Sequence, residues 1–191
     1  MAKEKEWVEA VADWIRSEGQ LMELEGVPVR VGSGARLPYS YNAFELEANE
    51  ELRSRSAQNP TDLLLYDQLD DKWWVPRVVI ECILGEVTQY NALSLSSRAA
   101  RHKHVHSYLR YGILISGNNL FSVPPVRMFR HGDRFDFIVS WSDEKASVEE
   151  WDLFIGIVKE EVLRSRFIQE LFAANQDPNK YSLMHRQLAF K

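Results

Sequence analysis

The sequence contains a single cysteine and no long apolar run, and both absences limit what the protein can be. One thiol, Cys82, cannot form a disulfide within the chain, and its position in an apolar segment predicts a buried, unreactive side chain. No apolar stretch reaches the about 18 residues of a membrane span, and the first residues, MAKEKEWVEAV, are unlike a signal peptide. We therefore expect a cytoplasmic protein without a membrane partner.

Acidic residues are missing from one long segment of the chain. The formal net charge is −5, which argues against indiscriminate nucleic-acid binding, yet residues 87–132 contain no Asp or Glu. Four of the five histidines lie in this segment. Its basic residues are Arg98, Arg101, Lys103, Arg110, Arg127 and Arg130. This distribution predicts a phosphate-binding surface on an otherwise acidic protein, the alternative being an ordinary solvated face.

The composition and the spacing of elements predict a single domain over residues 1–191. Hydrophobic residues make up 45% of the chain, which is enough to form a core, and no repeat, low-complexity tract or linker divides it. We expect a core at about residues 4–117, a strand pair and closing helix at about 118–175, and a C-terminal tail at 176–191.

Periodicity and capping signals predict three helices. Residues 4–22 carry apolar side chains at helical spacing. A second helix is predicted over residues 94–112, beginning at serines suited to an N-cap and ending at Gly112. Ser147 and Glu150 form a capping-box pattern ahead of the closing helix.

Two apolar segments, at residues 60–67 and 73–84, are separated by the polar QLDDK and are typical of a β-hairpin. The alternating segment NAFELEA predicts an edge strand before them. The second hairpin strand contains Glu81, and a buried carboxylate costs several kcal/mol unless it is paired. Asp62 starts the first strand, so pairing would bring both carboxylates to one end of the sheet, where they would suit Mg²⁺. The alternative is a metal-free ion pair between Glu81 and Arg77, Arg98 or Arg101.

The element order, helix, strand, P-T-D strand, I-E-C-I strand, helix, G-I-L-I strand, resembles the PD-(D/E)xK nuclease superfamily, the fold of many restriction endonucleases. The resemblance covers roughly residues 4–117, and its "PD" is imperfect because a threonine separates the two residues. It implies an α/β fold with a restriction-endonuclease-like core, a mixed central β-sheet flanked by helices. It also implies Mg²⁺-dependent hydrolysis of phosphodiester bonds in DNA, with Mn²⁺ able to substitute. Asp62 and Glu81 would bind the metal, and Cys82 would contribute its backbone carbonyl.

Ile83 stands where the superfamily has its catalytic lysine. The lysine has moved, the site is naturally inactive, or the sequence is a variant made inactive; all three explanations remain open. Some branches of the superfamily place the lysine on the following helix, which makes Lys103 the leading substitute. Arg98 is the rival, although its pKa is too high for a general base. The two positions differ by about 140° around a helix, so at most one should face the metal.

The resemblance leaves three functional hypotheses. The first is an active endonuclease whose DNA backbone contacts come from Arg98, Arg101, Lys103, Arg127 and Arg130, with base contacts from residues 118–134. A homodimer is expected if both strands of a duplex are cut. The second is a non-catalytic nucleic-acid-binding or assembly module that retains the fold. The third is a protein-binding domain in which Glu81 is only ion-paired.

Overall fold

The structure is a computed structural model that describes residues 2–19, 21–46, 52–117 and 131–174. The helices in these residues are α1 (Ala2–Ser17), α2 (Gln89–Val105) and α3 (Val148–Ala174). The strands are β1 (Glu23–Leu24), β2 (Val27–Ser33), β3 (Arg36–Leu46), β4 (Leu52–Pro60), β5 (Leu63–Gln68), β6 (Trp74–Leu84), β7 (Arg110–Ser116) and β8 (Phe137–Trp141).

Six of the strands form one mixed sheet in the order β1-β2-β5-β6-β7-β8. Neighbours from β1 to β6 are antiparallel, whereas β6, β7 and β8 run parallel to one another. The crossover from β6 to β7 passes through α2, as a parallel connection requires. The predicted α/β class with a mixed central sheet flanked by helices is therefore confirmed.

The predicted hairpin of β5 and β6 is also confirmed. Its register runs from Leu63 opposite Ile80 to Gln68 opposite Trp74. A register shift next to Pro76 marks a bulge, a position that tolerates a residue without an N–H. Strand β6 is central, so both of its faces are covered, which explains its nearly continuous apolar sequence.

Alternation along β6 divides the core between the two faces of the sheet. Val78, Ile80 and Cys82 pack in the cluster that contains the buried residues of α1 and α3. Val79 and Ile83 pack in the second cluster, with the alanines of α2. Side chains alternate with a period of two, so a carboxylate at position 81 lies on the α2 face.

Strands β3 and β4 form a separate two-stranded antiparallel sheet. The segment NAFELEA, predicted as an edge strand, begins within β3 and pairs with β4 instead of with the central sheet; its last two residues lie outside the described residues. The first half of β3 packs on α2, through Leu37 among others.

The predicted bounds of the first two helices are wrong. Helix α1 ends at Ser17, before the predicted position 22. Helix α2 begins at Gln89, five residues before the predicted start, because the Thr88 hydroxyl accepts a hydrogen bond from Asn91 N at 3.1 Å and caps the first turn. Gly112 lies in β7 instead of ending the helix. A Cβ atom there would lie 2.2 Å from the Phe137 ring, so the close approach of this ring requires glycine.

The capping box of the closing helix is confirmed. Ser147 N donates to a Glu150 carboxylate oxygen at 2.8 Å, and Glu150 N donates to Ser147 Oγ at 3.2 Å. Of the strand pair predicted before this helix, Phe137–Trp141 forms β8, while residues 118–130 lie outside the described residues, as does the predicted tail. Within the described ranges, no helix is long and apolar enough to cross a membrane.

A buried charged cluster links the sheet to α3. The Asp67 carboxylate accepts from Arg77 Nε at 2.7 Å and from Arg166 Nε and Nη2 at 3.0 and 2.7 Å. All three side chains are buried. Arg166 also donates to the Leu24 carbonyl, which ties the edge strand β1 to α3.

Candidate functional site

Asp62 and Glu81 lie at the same end of the β5–β6 hairpin. Asp62 immediately precedes β5, and the last ladder pair, Leu63 and Ile80, leaves Glu81 and Cys82 just beyond the end of β5. A carboxylate oxygen of Asp62 accepts a hydrogen bond from Cys82 N at 2.8 Å, which anchors Asp62 to the neighbouring strand. The two acids are therefore held at one end of the hairpin by backbone pairing.

Glu81 is almost completely buried and is held by two donors. Its side chain is 1% exposed. Arg98 Nη1, from α2, lies 3.1 Å from Oε1 and 3.2 Å from Oε2. The Tyr111 hydroxyl, from β7, donates to Oε1. Both oxygens of the carboxylate are thus engaged.

The environment of Glu81 disfavours its ionised form despite these donors. Burial, followed by the negative charge of Asp62, raises the pKa of Glu81 from 4.5 to about 7, against the opposing effects of Arg98 and Tyr111. Burial and the adjacent Glu81 also raise the pKa of Tyr111 well above its ordinary range, so its hydroxyl remains a donor. Arg98 and Tyr111 together therefore do not offset the cost of burying the Glu81 carboxylate beside Asp62.

The main chain of Cys82 offers an oxygen at the same place. In an extended strand, the N–H and C=O of one residue point to the same neighbouring strand. Because Cys82 N–H points to Asp62, its carbonyl faces the same edge, beyond the end of β5. The thiol packs in the α1/α3 core, and burial raises the pKa of Cys82 well above its ordinary value, so the thiol is not a nucleophile.

Ile83 lies on the same face as Glu81 and contributes no polar group. It is 6% exposed and packs with Leu37, Leu64 and Val87 in the core under α2. The position at which the resemblance predicts a lysine is therefore part of the apolar core.

Helix α2 directs Arg98, not Lys103, toward Glu81. Besides its two bonds to Glu81, Arg98 Nη1 lies 3.4 Å from the Pro60 carbonyl. Lys103 Nζ lies 2.6 Å from Asp136 Oδ2 and 2.8 Å from the Arg134 carbonyl. The structure thus brings Arg98 to the acid pair and places the Lys103 ammonium against Asp136, in agreement with the expectation that only one of them faces the pair.

The other arginines considered as metal-free partners of Glu81 have different contacts. Arg77 binds Asp67 in the buried cluster described above. The Arg101 guanidinium lies over the Tyr39 ring, 5.1 Å from its centroid, and the residue is exposed. The metal-free alternative is therefore reduced to one pair, Glu81 with Arg98.

Several basic residues of the predicted phosphate-binding surface pair with acidic residues of the fold. Arg110 Nη1 lies 3.0 Å from Asp136 and Arg110 Nε lies 2.5 Å from Glu161, so this charge is matched within the fold. Arg127 and Arg130, with the predicted base-contacting residues up to 130, lie outside the described residues. Arg98, which pairs with Glu81, and Arg101, whose guanidinium lies over the Tyr39 ring, are three residues apart on α2.

Tyr111 is the site residue that sequence reasoning missed. An isolated tyrosine in an apolar strand is typical of core packing, and no local pattern connects it to Glu81, 30 residues earlier in the chain. Only the parallel register, with Tyr111 opposite Val79, brings its hydroxyl beside the carboxylate.

Within the part of the chain that the structure describes, no three or more His, Cys, Asp or Glu side chains are arranged to hold a metal ion. A cation at Asp62 and Glu81 would therefore take its remaining ligands from the main chain, water or substrate.

Comparisons of the chain with protein-family models, curated proteins and solved structures find no match.

Proposed function

We propose that this chain is a Mg²⁺-dependent DNA endonuclease of the restriction-endonuclease-like type. The observation that supports it is the meeting of Asp62 and Glu81 at one end of β5 and β6, beside the Cys82 backbone and under Arg98. The succession of α1, the antiparallel strands β2, β5 and β6, then α2 and the parallel strand β7, also agrees with the order expected for that fold.

The acid pair fits a divalent cation by its chemistry. Mg²⁺ prefers oxygen ligands and is commonly bound by one or two carboxylates while keeping several waters. Asp62 is only half-buried, and Arg98 does not offset the cost of burying the Glu81 carboxylate beside it. Asp62, Glu81 and the Cys82 carbonyl would hold the ion. Bound Mg²⁺ would supply a Lewis acid for a phosphodiester oxygen and lower the pKa of a bound water.

The surrounding residues have separate roles in this proposal. Arg98 would bind a non-bridging phosphate oxygen, since a guanidinium binds phosphate strongly but does not release its proton at neutral pH. Tyr111 would orient Glu81 through its hydroxyl bond. Ile83 supplies no nitrogen, so Arg98 is the cationic side chain at the site. One site addresses one strand, so cutting a duplex would require two copies of the chain.

A non-catalytic nucleic-acid-binding module is the second candidate. Its specific support is the Arg98–Glu81 ion pair together with the buried Ile83, because this pair already gives the carboxylate a counter-ion. In that case the fold would present its basic residues to phosphate without hydrolysis.

Cleavage of supercoiled plasmid with Mg²⁺ or Mn²⁺ tests the proposal. We expect cleavage by the unmodified chain and its loss in Asp62→Asn and Glu81→Gln. Matched controls are Asp13→Asn and Glu160→Gln, exposed acids on α1 and α3 that pair with local arginines and should keep full cleavage.

The Ile83→Lys variant separates the two candidates. Cleavage by Ile83→Lys alone would identify a silent site and support the binding module. If no variant cuts and DNA is not retained even at low salt, both candidates fail. Retention through phosphate contacts should weaken steeply as the salt concentration rises.

A further inference from the structure

We infer that Arg98 regulates the site by competing with the metal: its guanidinium binds Glu81 in the free protein and moves to a substrate phosphate when DNA binds. This inference rests on the proposed function, because it concerns the same two carboxylates. It assigns Arg98 an inhibitory contact in addition to its role toward phosphate.

The contact geometry leaves little room for a second cation on Glu81. Arg98 Nη1 contacts both carboxylate oxygens, at 3.1 and 3.2 Å, and the Tyr111 hydroxyl takes a further position on Oε1. A divalent ion on the same carboxylate would lie within a few ångströms of the guanidinium, where like charges repel strongly in a poorly solvated site. Metal binding therefore requires Arg98 to leave.

Of the two side chains that donate to Glu81, Arg98 is the one that can move away from it. Its side chain is 28% exposed, whereas Tyr111 is completely buried in β7. Among the described residues, its other hydrogen-bond contact is the Pro60 carbonyl, at a long 3.4 Å. An arriving phosphate offers the guanidinium a stronger, bidentate acceptor near solvent.

This arrangement makes DNA and metal binding support each other. When Arg98 binds a phosphate it loses its contact with Glu81, which can then bind the cation. When a cation binds Glu81, Arg98 loses the same contact and can bind phosphate. Such coupling is reciprocal by thermodynamic linkage. Arg98 should therefore lower the affinity of the protein for the metal ion when DNA is absent.

The inference is tested by titrating the protein with Mn²⁺ alone and following the electron paramagnetic resonance signal of the free ion. Removal of this charge at about pH 8.5, where proton binding competes least for Glu81, should make Arg98→Gln bind Mn²⁺ at least about tenfold more tightly than the unmodified chain. The same variant should cleave plasmid more slowly. Arg101→Gln, three residues along α2 and stacked on Tyr39, is the matched control and should bind Mn²⁺ like the unmodified chain.

The outcomes separate the inference from the function on which it rests. If Arg98→Gln and the unmodified chain bind Mn²⁺ equally, and Asp62→Asn abolishes binding in both, the metal centre stands and the competition is refuted. If no variant binds Mn²⁺, the metal centre and the competition fail together. Arg98→Met repeats the measurement with a side chain of similar length, and circular dichroism establishes that each variant is folded.

Discussion

Arg98 Nη1 lies within 3.1 and 3.2 Å of the two carboxylate oxygens of Glu81, although 17 residues separate them and they belong to different elements. This contact does not fully offset the burial of the carboxylate, whose pKa stays near 7. The ionised form of Glu81 is therefore unfavourable for folding at neutral pH. Groups of this kind are concentrated at functional sites.

Glu81→Gln should stabilise the protein at alkaline pH. The folded-state pKa of about 7 exceeds the ordinary 4.5, so the stabilising contribution of Glu81 is present below pH 4.5 and is lost as the pH rises through 7. Glutamine imitates the protonated acid. We expect urea unfolding to show a gain of about 2–3 kcal/mol at pH 8 and almost none at pH 4.5. Glu160→Gln is the exposed control, and a gain independent of pH would contradict the assignment.

His102 should make the protein sensitive to acid. It is completely buried in α2 between the Tyr39 and Tyr111 rings, and burial, assisted by the charge of Arg98, lowers its pKa from 6.5 to about 4. Its neutral form stabilises the fold above pH 6.5, and this contribution is lost as the pH falls toward 4.

Replacement with His102→Leu should remove this part of the acid dependence. We expect the free energy of unfolding of the unmodified chain to fall, relative to that of the variant, by up to about 1.4 kcal/mol per pH unit in this window. The exposed His104→Leu is the matched control. Parallel pH profiles for the unmodified chain and His102→Leu would show that His102 does not titrate on unfolding.

Gly112→Ala should destabilise the sheet through Phe137. An added Cβ would lie 2.2 Å from ring atoms of Phe137, so the ring must move, at a cost of about 1–3 kcal/mol. The double variant Gly112→Ala/Phe137→Leu should recover part of the loss. Thermal unfolding of the four chains completes the double-mutant cycle, and strictly additive effects would refute the contact.

Asp67→Asn should be among the most destabilising single substitutions. Two buried arginines would lose the carboxylate that they share, and breaking a buried ion pair typically costs about 3–5 kcal/mol. Glu25→Gln provides the comparison, because Glu25 is an exposed partner of Arg166 at 3.9 Å and exposed pairs contribute about 0–1 kcal/mol. Equal midpoints in urea for the two variants would contradict the importance of the buried cluster.

The central hairpin could be predicted from the sequence because the residues that signal it are close together in the chain. Two apolar segments with a short polar connection require antiparallel pairing, and the proximity of Asp62 to the end of β6 follows from that pairing. The capping box of α3 is equally local, since both partners lie within one helical turn. These features depend on neighbours in the chain.

The features that sequence reasoning missed depend on distant residues. Gly112 resembled a helix end, but it is a glycine in β7 because a Cβ there would collide with the ring of Phe137, 25 residues away. Lys103 was the obvious cation near the acids, yet it is bound by Asp136, which also accepts from Tyr111 N. A long-range partner of this kind has no local sequence signal.

The hydrogen bond from Cys82 N to Asp62 has a consequence for which substitutions the site can tolerate. A main-chain amide is present whatever side chain follows it, except in proline, so the orientation of Asp62 is insensitive to the identity of residue 82. Any small apolar side chain that fills the same space in the core could stand there without altering the acid pair. The chemistry of this end of the sheet is therefore partly encoded in the path of the backbone, and the cysteine itself is replaceable.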